Sequence, residues 1–148
     1  MQALDLVTED LSKRFGERWA LRQLSFVARP GSVTLLAGRN GAGKTTWMRV
    51  ATGLAHPSSG AVRFGGLPAG RVRERLAAVF DDAPVYPLLN GEENLYLLSG
   101  GCSPRTAEAR ALLGELAMEP LLRMRGDGFS FGQRKRLAVA AALLRRPS

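Results

Sequence analysis

The stretch at residues 38–46 carries the clearest chemistry in the sequence. It reads Gly-Arg-Asn-Gly-Ala-Gly-Lys-Thr-Thr and fits the pattern G-x-x-x-x-G-K-[ST] without a mismatch. Its glycines let the backbone take positive φ and turn N–H groups inward, which makes a nest for phosphate oxygens. A helix that begins near Gly43 would add its positive N-terminal end at the same point. We therefore predict a phosphate-binding loop.

The functional groups in this loop indicate individual roles. Lys44 can reach the β- and γ-phosphates of a nucleotide as a mobile cation, and the Thr45 hydroxyl is placed to ligate Mg²⁺. Thr46 would add a second hydroxyl to the phosphates. The alternative is a glycine-rich turn that only joins a strand to a helix. The predicted binding residues are Gly38, Arg39, Asn40, Gly41, Ala42, Gly43, Lys44, Thr45 and Thr46, with Lys44 also catalytic and a nucleotide with Mg²⁺ as the ligand, which the resemblance described below implies to be ATP.

The elements on either side of the loop would hold it in place. Residues 33–37 form an apolar run rich in β-formers, which is typical of a strand buried on both faces. Residues 45–54 carry an apolar stripe at helical spacing. The pattern predicts a strand, the loop and a helix in that order.

The rest of the chain has a β-rich front and a helical rear. Further strands are expected at 4–8, 24–28, 61–64 and 76–80, and further helices at 92–98, 104–117 and 133–145. No repeat, low-complexity tract or linker interrupts the pattern. We expect one α/β unit with subdomains.

Composition limits the function classes. The net charge of +8 rests on 18 Arg against 3 Lys, but the charges are dispersed, which favours a solvated surface over a nucleic-acid face. The single cysteine, Cys102, excludes an internal disulfide and indicates a reducing compartment. The longest apolar run, residues 137–144, is too short to span a membrane, so any membrane role would need another polypeptide.

Three landmarks, in order along the chain, resemble the nucleotide-binding domain of an ATP-binding-cassette (ABC) ATPase. The first is Lys-Arg-Phe-Gly at residues 13–16, where the family usually has an aromatic residue that stacks on adenine. The resemblance assigns this role to Phe15, whose stacking would contribute about 1 kcal/mol. A core position under the β-layer is the alternative for Phe15, and Trp19 is a weaker candidate for adenine. The second landmark is the loop at residues 38–46, the family's Walker A motif.

The third landmark is residues 129–147, which are similar to the family's signature segment, usually Leu-Ser-Gly-Gly-Gln followed by a helix. In the family this segment faces the phosphates bound by a second subunit. The resemblance therefore implies that Ser130, Gly132 and Gln133 contact nucleotide across a domain dimer. Phe131 stands where the first signature glycine usually is. On the alternative interpretation the segment is only a turn and a helix cap.

Two further segments take roles from the resemblance. The family's Q-loop glutamine would follow Phe80, where this chain has Asp81, and a carboxylate there could bind the metal through water. Thr45 and Asp81 are thus the expected metal-binding residues, and Asp81 joins the nucleotide site. Residues 86–95 resemble the stretch that meets the cytoplasmic helices of a membrane partner.

The resemblance implies an α/β P-loop NTPase fold of the ABC ATPase type with an N-terminal antiparallel β-layer and a helical subdomain. The expected divisions are 1–80 (β-layer and P-loop core), 81–128 (Q-loop and helical subdomain) and 129–148 (signature and following helix). The implied function is the ATP-binding subunit of a transporter, acting as a dimer with a second ABC domain and an integral membrane permease. It would lie on the cytoplasmic face of the membrane through the permease, with no nucleic-acid partner. The variants at 81–82 and 129–132 look like those of exporters, so we expect export.

The family's Walker B strand, with its Asp and catalytic Glu, would follow Pro147, and its switch His would come later. The sequence ends at Ser148, and His56 lies in a turn after the first helix. We therefore expect these 148 residues alone to be deficient in hydrolysis. A soluble ABC-type ATPase acting on nucleic acid or ribosomes, a small P-loop kinase and a non-hydrolysing nucleotide-binding or interaction protein remain alternatives.

Overall fold

A computed structural model describes residues 4–82 and 84–147. The chain divides into two compact units, of which the first ends at Leu76 and the second is Ala77–Pro147. Each unit contains its own cluster of buried apolar side chains.

The first unit is built on a four-stranded antiparallel sheet. Its strands are β1 (Leu6–Phe15), β2 (Arg18–Ala28), β3 (Ser59–Phe64) and β4 (Leu67–Pro68), in the order β2-β1-β3-β4. A tight turn with Gly16 at φ +56° joins β1 to β2. The expected strands at 4–8, 24–28 and 61–64 are confirmed in place, but β1 and β2 run much further toward each other because the polar residues between them pair across the hairpin.

One helix packs on this sheet and follows the phosphate loop. Helix α1 (Lys44–Ala51) confirms the predicted helix, although it ends three residues earlier than expected, before Gly53 at φ +73°. The Trp47 indole N–H donates a hydrogen bond to Thr8 Oγ1 (3.1 Å), and its ring lies 5.3 Å from that of Phe26. These contacts attach α1 to the sheet. The short helix α2 (Ala69–Val72) and a 3-10 turn at Arg73–Arg75 complete the unit.

The prediction of a buried strand at residues 33–37 is wrong for this structure. Among the described residues no strand pairs with this segment, and Val33 and Leu35 are 101% and 86% exposed. Residues 76–80 likewise lie outside the sheet. A strand forms only where neighbouring strands pair with its backbone N–H and C=O groups. An apolar run shows that the side chains favour burial, but it does not show that such pairing partners are present.

The second unit is helical. It contains α3 (Gly91–Leu98), α4 (Ala107–Glu115), α5 (Glu119–Leu122), a 3-10 turn at Gly126–Gly128 and α6 (Phe131–Leu144). Helix α4 begins three residues after the predicted Pro104, because the Thr106 hydroxyl accepts the Ala109 N–H and caps the helix there. The core residues shared by these helices are Leu95, Ala109, Leu113, Met118, Leu121, Phe129, Leu137, Ala140, Ala141 and Leu144.

Candidate functional site

The predicted phosphate-binding loop at residues 38–46 leads directly into α1, and this helix begins without a side-chain cap. Gly43 is its N-cap residue, and the first turn holds no acidic side chain. Helices α3 and α6, in contrast, both begin with a reciprocal side-chain capping box. The first N–H groups of a helix require acceptors, so those of α1 are available to an anion.

Packing fixes the end of this loop on strand β2. A Cβ atom at Gly43 would lie 2.3 Å from the Ala20 carbonyl oxygen and 2.7 Å from Leu21 Cδ2, and the backbone φ of Gly43 is +92°. Gly41 also has positive φ (+82°), but the space beside it is open. Gly38 has no positive φ and does not use that freedom. The loop is therefore anchored at one end and open in its middle, as a cradle for a ligand would be.

Lys44 closes the loop upon itself. Its ammonium group donates hydrogen bonds to the carbonyl oxygens of Gly38 (2.6 Å) and Arg39 (2.8 Å). The cation thus lies against the carbonyl groups at the beginning of the loop. Thr45 is exposed in the first turn of that helix, and Thr46 is half-buried. This donor set fits a nucleotide with Mg²⁺, since Mg²⁺ takes few protein ligands and shares phosphate oxygens and water.

The two aromatic residues that are candidates for stacking on adenine lie on the β1–β2 hairpin, and both have cationic side chains near their rings. Phe15 is 56% exposed, with the Lys13 ammonium 4.9 Å from its ring centre. Trp19 is 40% exposed, and the guanidinium groups of Arg14 and Arg22 lie 5.5 and 5.6 Å from its ring. The alternative of a core position for Phe15 is wrong, whereas its role in stacking stays a prediction.

The signature-like segment starts α6 with a capping box. The Gln133 N–H donates to Ser130 Oγ (3.3 Å), and the Ser130 N–H donates to Gln133 Oε1 (2.8 Å). A hydroxyl that accepts one bond can still donate its own proton, so Ser130 keeps a donor for a phosphate oxygen. Nothing lies within 4 Å of a Cβ built at Gly132, and Phe131 is exposed. The structure therefore has the helix cap, and the space beside Gly132 and the Phe131 side chain is open.

Asp81 is engaged by a residue that the sequence did not indicate. Its side chain is fully exposed, and its Oδ1 lies 3.0 Å from the ammonium nitrogen of Lys135 in α6. Lys135 also donates to the Phe80 carbonyl oxygen (2.7 Å). No pattern in the chain relates positions so far apart, so only the fold could show this pair. The predicted role of Asp81 at the metal stays a prediction.

A buried asparagine shapes the segment at residues 86–95. The Asn94 side chain is completely buried, and its Oδ1 accepts the Tyr86 N–H (2.7 Å). Its amide group has two N–H donors, and the nitrogen lies within hydrogen-bond distance of the carbonyl oxygens of Tyr86 (3.1 Å), Leu89 (3.1 Å) and Asn90 (3.0 Å). The sequence pattern did not single out Asn94, which follows two glutamates in the first turns of α3, and its burial became apparent only from the fold.

Around this fixed loop lies an exposed apolar surface. Tyr86, Leu88, Tyr96 and Leu97 are between 49% and 76% exposed. Beside them is a cleft of about 540 Å³ lined by residues of α3 and of the segment before α4. Arg105 forms an ion pair with Glu92 at this cleft, and this hydrogen bond holds the pKa of Glu92 below its ordinary value. Such a surface on a structured loop is typical of a protein interface.

No helix in the described part of the chain combines the length and apolar character that a membrane crossing requires.

Comparison with known proteins gives a consistent result. The family model for ABC transporters matches residues 21–148. The chain is 34% identical over 150 residues to the aliphatic sulfonates import ATP-binding protein SsuB of Pseudomonas entomophila, covering 99% of this chain and 54% of that protein. It is 36% identical over 152 residues to the Fe(3+) ions import ATP-binding protein FbpC of Brucella abortus, covering 94% of this chain and 41% of that protein. The chain thus spans about half the length of the curated relatives that it matches.

Solved structures show the same similarity. An ATP-binding subunit of an ABC transporter superposes with a TM-score of 0.81 at 29% identity, covering 96% of this chain and 62% of that one. The cbiO1 protein of Clostridium perfringens, described as part of the ABC transporter complex cbiONQ, superposes with a TM-score of 0.78 at 26% identity, covering 99% and 63%. The fold class expected from the sequence is confirmed. The export direction is not supported, because the named relatives serve import.

Proposed function

Since this chain belongs to the ABC transporter family, we propose that it forms the ATP-binding part of a transporter subunit that binds and hydrolyses ATP to drive a separate membrane protein. The observation that carries the proposal is the uncapped start of α1, with Lys44 lying over a glycine loop. Membership of this family excludes the small P-loop kinase among the alternatives.

The proposed binding mode uses the loop at residues 38–46 for the phosphates. On nucleotide binding, Lys44 would exchange its hydrogen bonds to two neutral carbonyl oxygens for bonds to phosphate oxygens. The exchange is favourable because a hydrogen bond between two ions is stronger than one between an ion and a neutral carbonyl. Thr45 offers its hydroxyl to Mg²⁺, whose chemistry is to neutralise charge on the phosphates. Phe15, exposed on the hairpin, offers its ring to adenine.

The second half of the proposed site is the start of α6. Ser130 and Gly132 present a hydroxyl and an open backbone, and Gln133 fixes the helix start through the capping box. In a dimer these groups would meet the phosphates held by a second ABC domain. These groups would stabilise the charge that develops on the phosphates.

We assign the membrane partner to the exposed apolar surface formed by Tyr86, Leu88, Tyr96 and Leu97. The hydrogen bonds of the Asn94 side chain support this assignment, because they hold the loop in one shape before any partner binds. Import is the proposed direction, since the named relatives are import proteins of sulfonates and of Fe(3+) ions. The protein would then lie at the inner face of the membrane through its partner.

Titration calorimetry with Mg-ATP tests the nucleotide site. Lys44→Ala should weaken ATP binding by about 10- to 100-fold, because a bond between ions contributes roughly 1.5–3 kcal/mol. Arg71→Ala removes one exposed positive charge from α2 in the same unit and should leave the affinity unchanged. Equal affinities of the wild type and Lys44→Ala would refute the proposed site.

A further inference from the structure

One lysine connects two segments of the second unit that are 54 residues apart in sequence. The Lys135 ammonium donates to the Phe80 carbonyl oxygen at 2.7 Å and to Asp81 Oδ1 at 3.0 Å. It also lies 5.5 Å from the centre of the Phe131 ring, one turn earlier on α6. Two of its three donors are thus directed at the same short segment.

Lys135 and Asp81 differ in how far their side chains are exposed to solvent. The Lys135 side chain is 26% exposed, whereas that of Asp81 is fully exposed. An ion pair with an exposed carboxylate is easily screened and would not by itself fix a loop. The bond to the Phe80 carbonyl adds a backbone anchor that salt cannot screen in the same way, and Phe131 covers one side of the ammonium. The three contacts together restrain both the side chain and the backbone.

We propose that Lys135 is a positioning residue that fastens residues 80–81 to the first turns of α6. The segment at the Q-loop position and the helix begun by Ser130 then move as one body. Asp81 serves in this arrangement as the partner of Lys135 and not as a metal ligand, because its Oδ1 accepts the Lys135 ammonium. The consequence for turnover rests on the proposed function; the fastening itself does not.

Backbone ¹⁵N relaxation on the 148-residue chain tests the fastening without nucleotide. In the wild type, the Asp81 and Asp82 amides should have order parameters near those of a rigid backbone, about 0.85. Lys135→Gln should lower them toward about 0.6 or below, and Asp81→Asn, which keeps the bond to the Phe80 carbonyl, should lower them by a smaller amount. Lys135→Arg should restore most of the order, since it keeps the charge and the donors. Arg145→Gln, which removes a cation beyond the other end of α6, should change nothing at residues 81–82.

The Asp81→Asn variant protects this test from a folding defect, because its side chain is fully exposed and its loss disturbs no core. Unchanged order parameters in both Lys135→Gln and Asp81→Asn would overturn the fastening.

Steady-state kinetics on the full-length protein tests the positioning role. Lys135→Gln should lower kcat for ATP roughly 3- to 10-fold with KM unchanged, since none of the Lys135 contacts involves the loop at residues 38–46. Asp81→Asn should follow Lys135→Gln, whereas loss of a metal ligand would raise the requirement for Mg²⁺ in Asp81→Asn alone. An unchanged kcat, or a Mg²⁺ effect confined to Asp81→Asn, would overturn the assignment. A wild-type protein without ATPase activity would refute the proposed function and leave the relaxation result standing.

Discussion

Gly43 is the residue at which chemistry and packing impose the same requirement. The motif requires glycine there so that N–H groups can face a phosphate, and the structure adds the Ala20 carbonyl, 2.3 Å from where a Cβ atom would be. The requirement for phosphate access can be inferred from the sequence motif, whereas the close approach of the β2 backbone becomes apparent only from the structure. The same contrast holds for Lys44, which the motif predicts, and Lys135, which it does not.

Gly43→Ala should therefore damage both stability and binding. The backbone at φ +92° is unfavourable for alanine, and the methyl group would meet the β2 backbone, so we expect a loss of roughly 1–3 kcal/mol in the free energy of unfolding. Urea denaturation measures this loss, and Mg-ATP titration should show weaker binding. Gly70→Ala is the matched control, because Gly70 lies in α2 with nothing within 4 Å of a Cβ and without positive φ. A Gly43→Ala protein as stable as the control would show that the loop can shift away from β2.

At the scale of elements, sequence periodicity identified most helices and strands but not their partners. The apolar stripe of α1 and the alternation in β3 predicted those elements because each buries one face against its own unit. Residues 33–37 have an equally clear pattern and form no strand within the described residues. The start of α4 depended on which hydroxyl captures an N–H, and Thr106 rather than Pro104 sets it. Local composition favours a type of element, and contacts decide whether the element forms and how far it extends.

The start of α3 gives a pH prediction. The hydrogen bond from Arg105, aided by its charge and those of nearby arginines, lowers the pKa of Glu92 against the opposing effect of burial. A carboxyl whose pKa is lower in the folded state stabilises the fold above its unfolded pKa and loses that contribution as the pH falls through the folded value. The stability difference between wild type and Glu92→Gln should thus be largest near neutral pH and shrink below about pH 4.3, the usual pKa of glutamate.

Chemical denaturation between pH 3 and pH 7 measures this difference. Glu115→Gln removes an equal charge from the end of α4 but leaves the Arg105 pair intact, so the acid-dependent part of the profile should persist. If Glu92→Gln and the wild type differ by a constant amount across this range, the ion pair does not contribute in solution.

At the scale of the whole molecule, family and fold class could be predicted because the motifs occur in a fixed order along the chain. The described strands all lie in the first unit and the second unit is helical, each with its own core, while the expected divisions after residues 80 and 128 stay a prediction. Transport direction could not be predicted from the variants at residues 81–82 and 129–132, because the effect of such a variant depends on the residues that it contacts in the fold. Asp81, for example, pairs with Lys135, which no comparison of motifs includes. The cargo of a transporter is likewise a property of its membrane partner.

The net charge of +8 permits a test between the transporter and an ABC-type ATPase that acts on nucleic acid. Arginines lie on both units, and several pair with carboxylates, including Arg63 with Glu9, Arg105 with Glu92 and Arg125 with Asp127. Scattered cations give weak, sequence-independent attraction that depends steeply on salt. Fluorescence anisotropy with labelled DNA and RNA should therefore detect binding at about 50 mM salt and lose it by about 200 mM.

Mg-ATP should have little effect on this binding, because the proposed nucleotide site uses different groups. Arg63→Ala and Arg125→Ala should each weaken the low-salt binding only slightly, since no single cation dominates a dispersed field. Binding that persists at about 200 mM salt, or that one such substitution abolishes, would require a built nucleic-acid face. The chain would then act on nucleic acid, and the apolar surface around Tyr86 and Leu88 would need a different partner from the membrane protein proposed here.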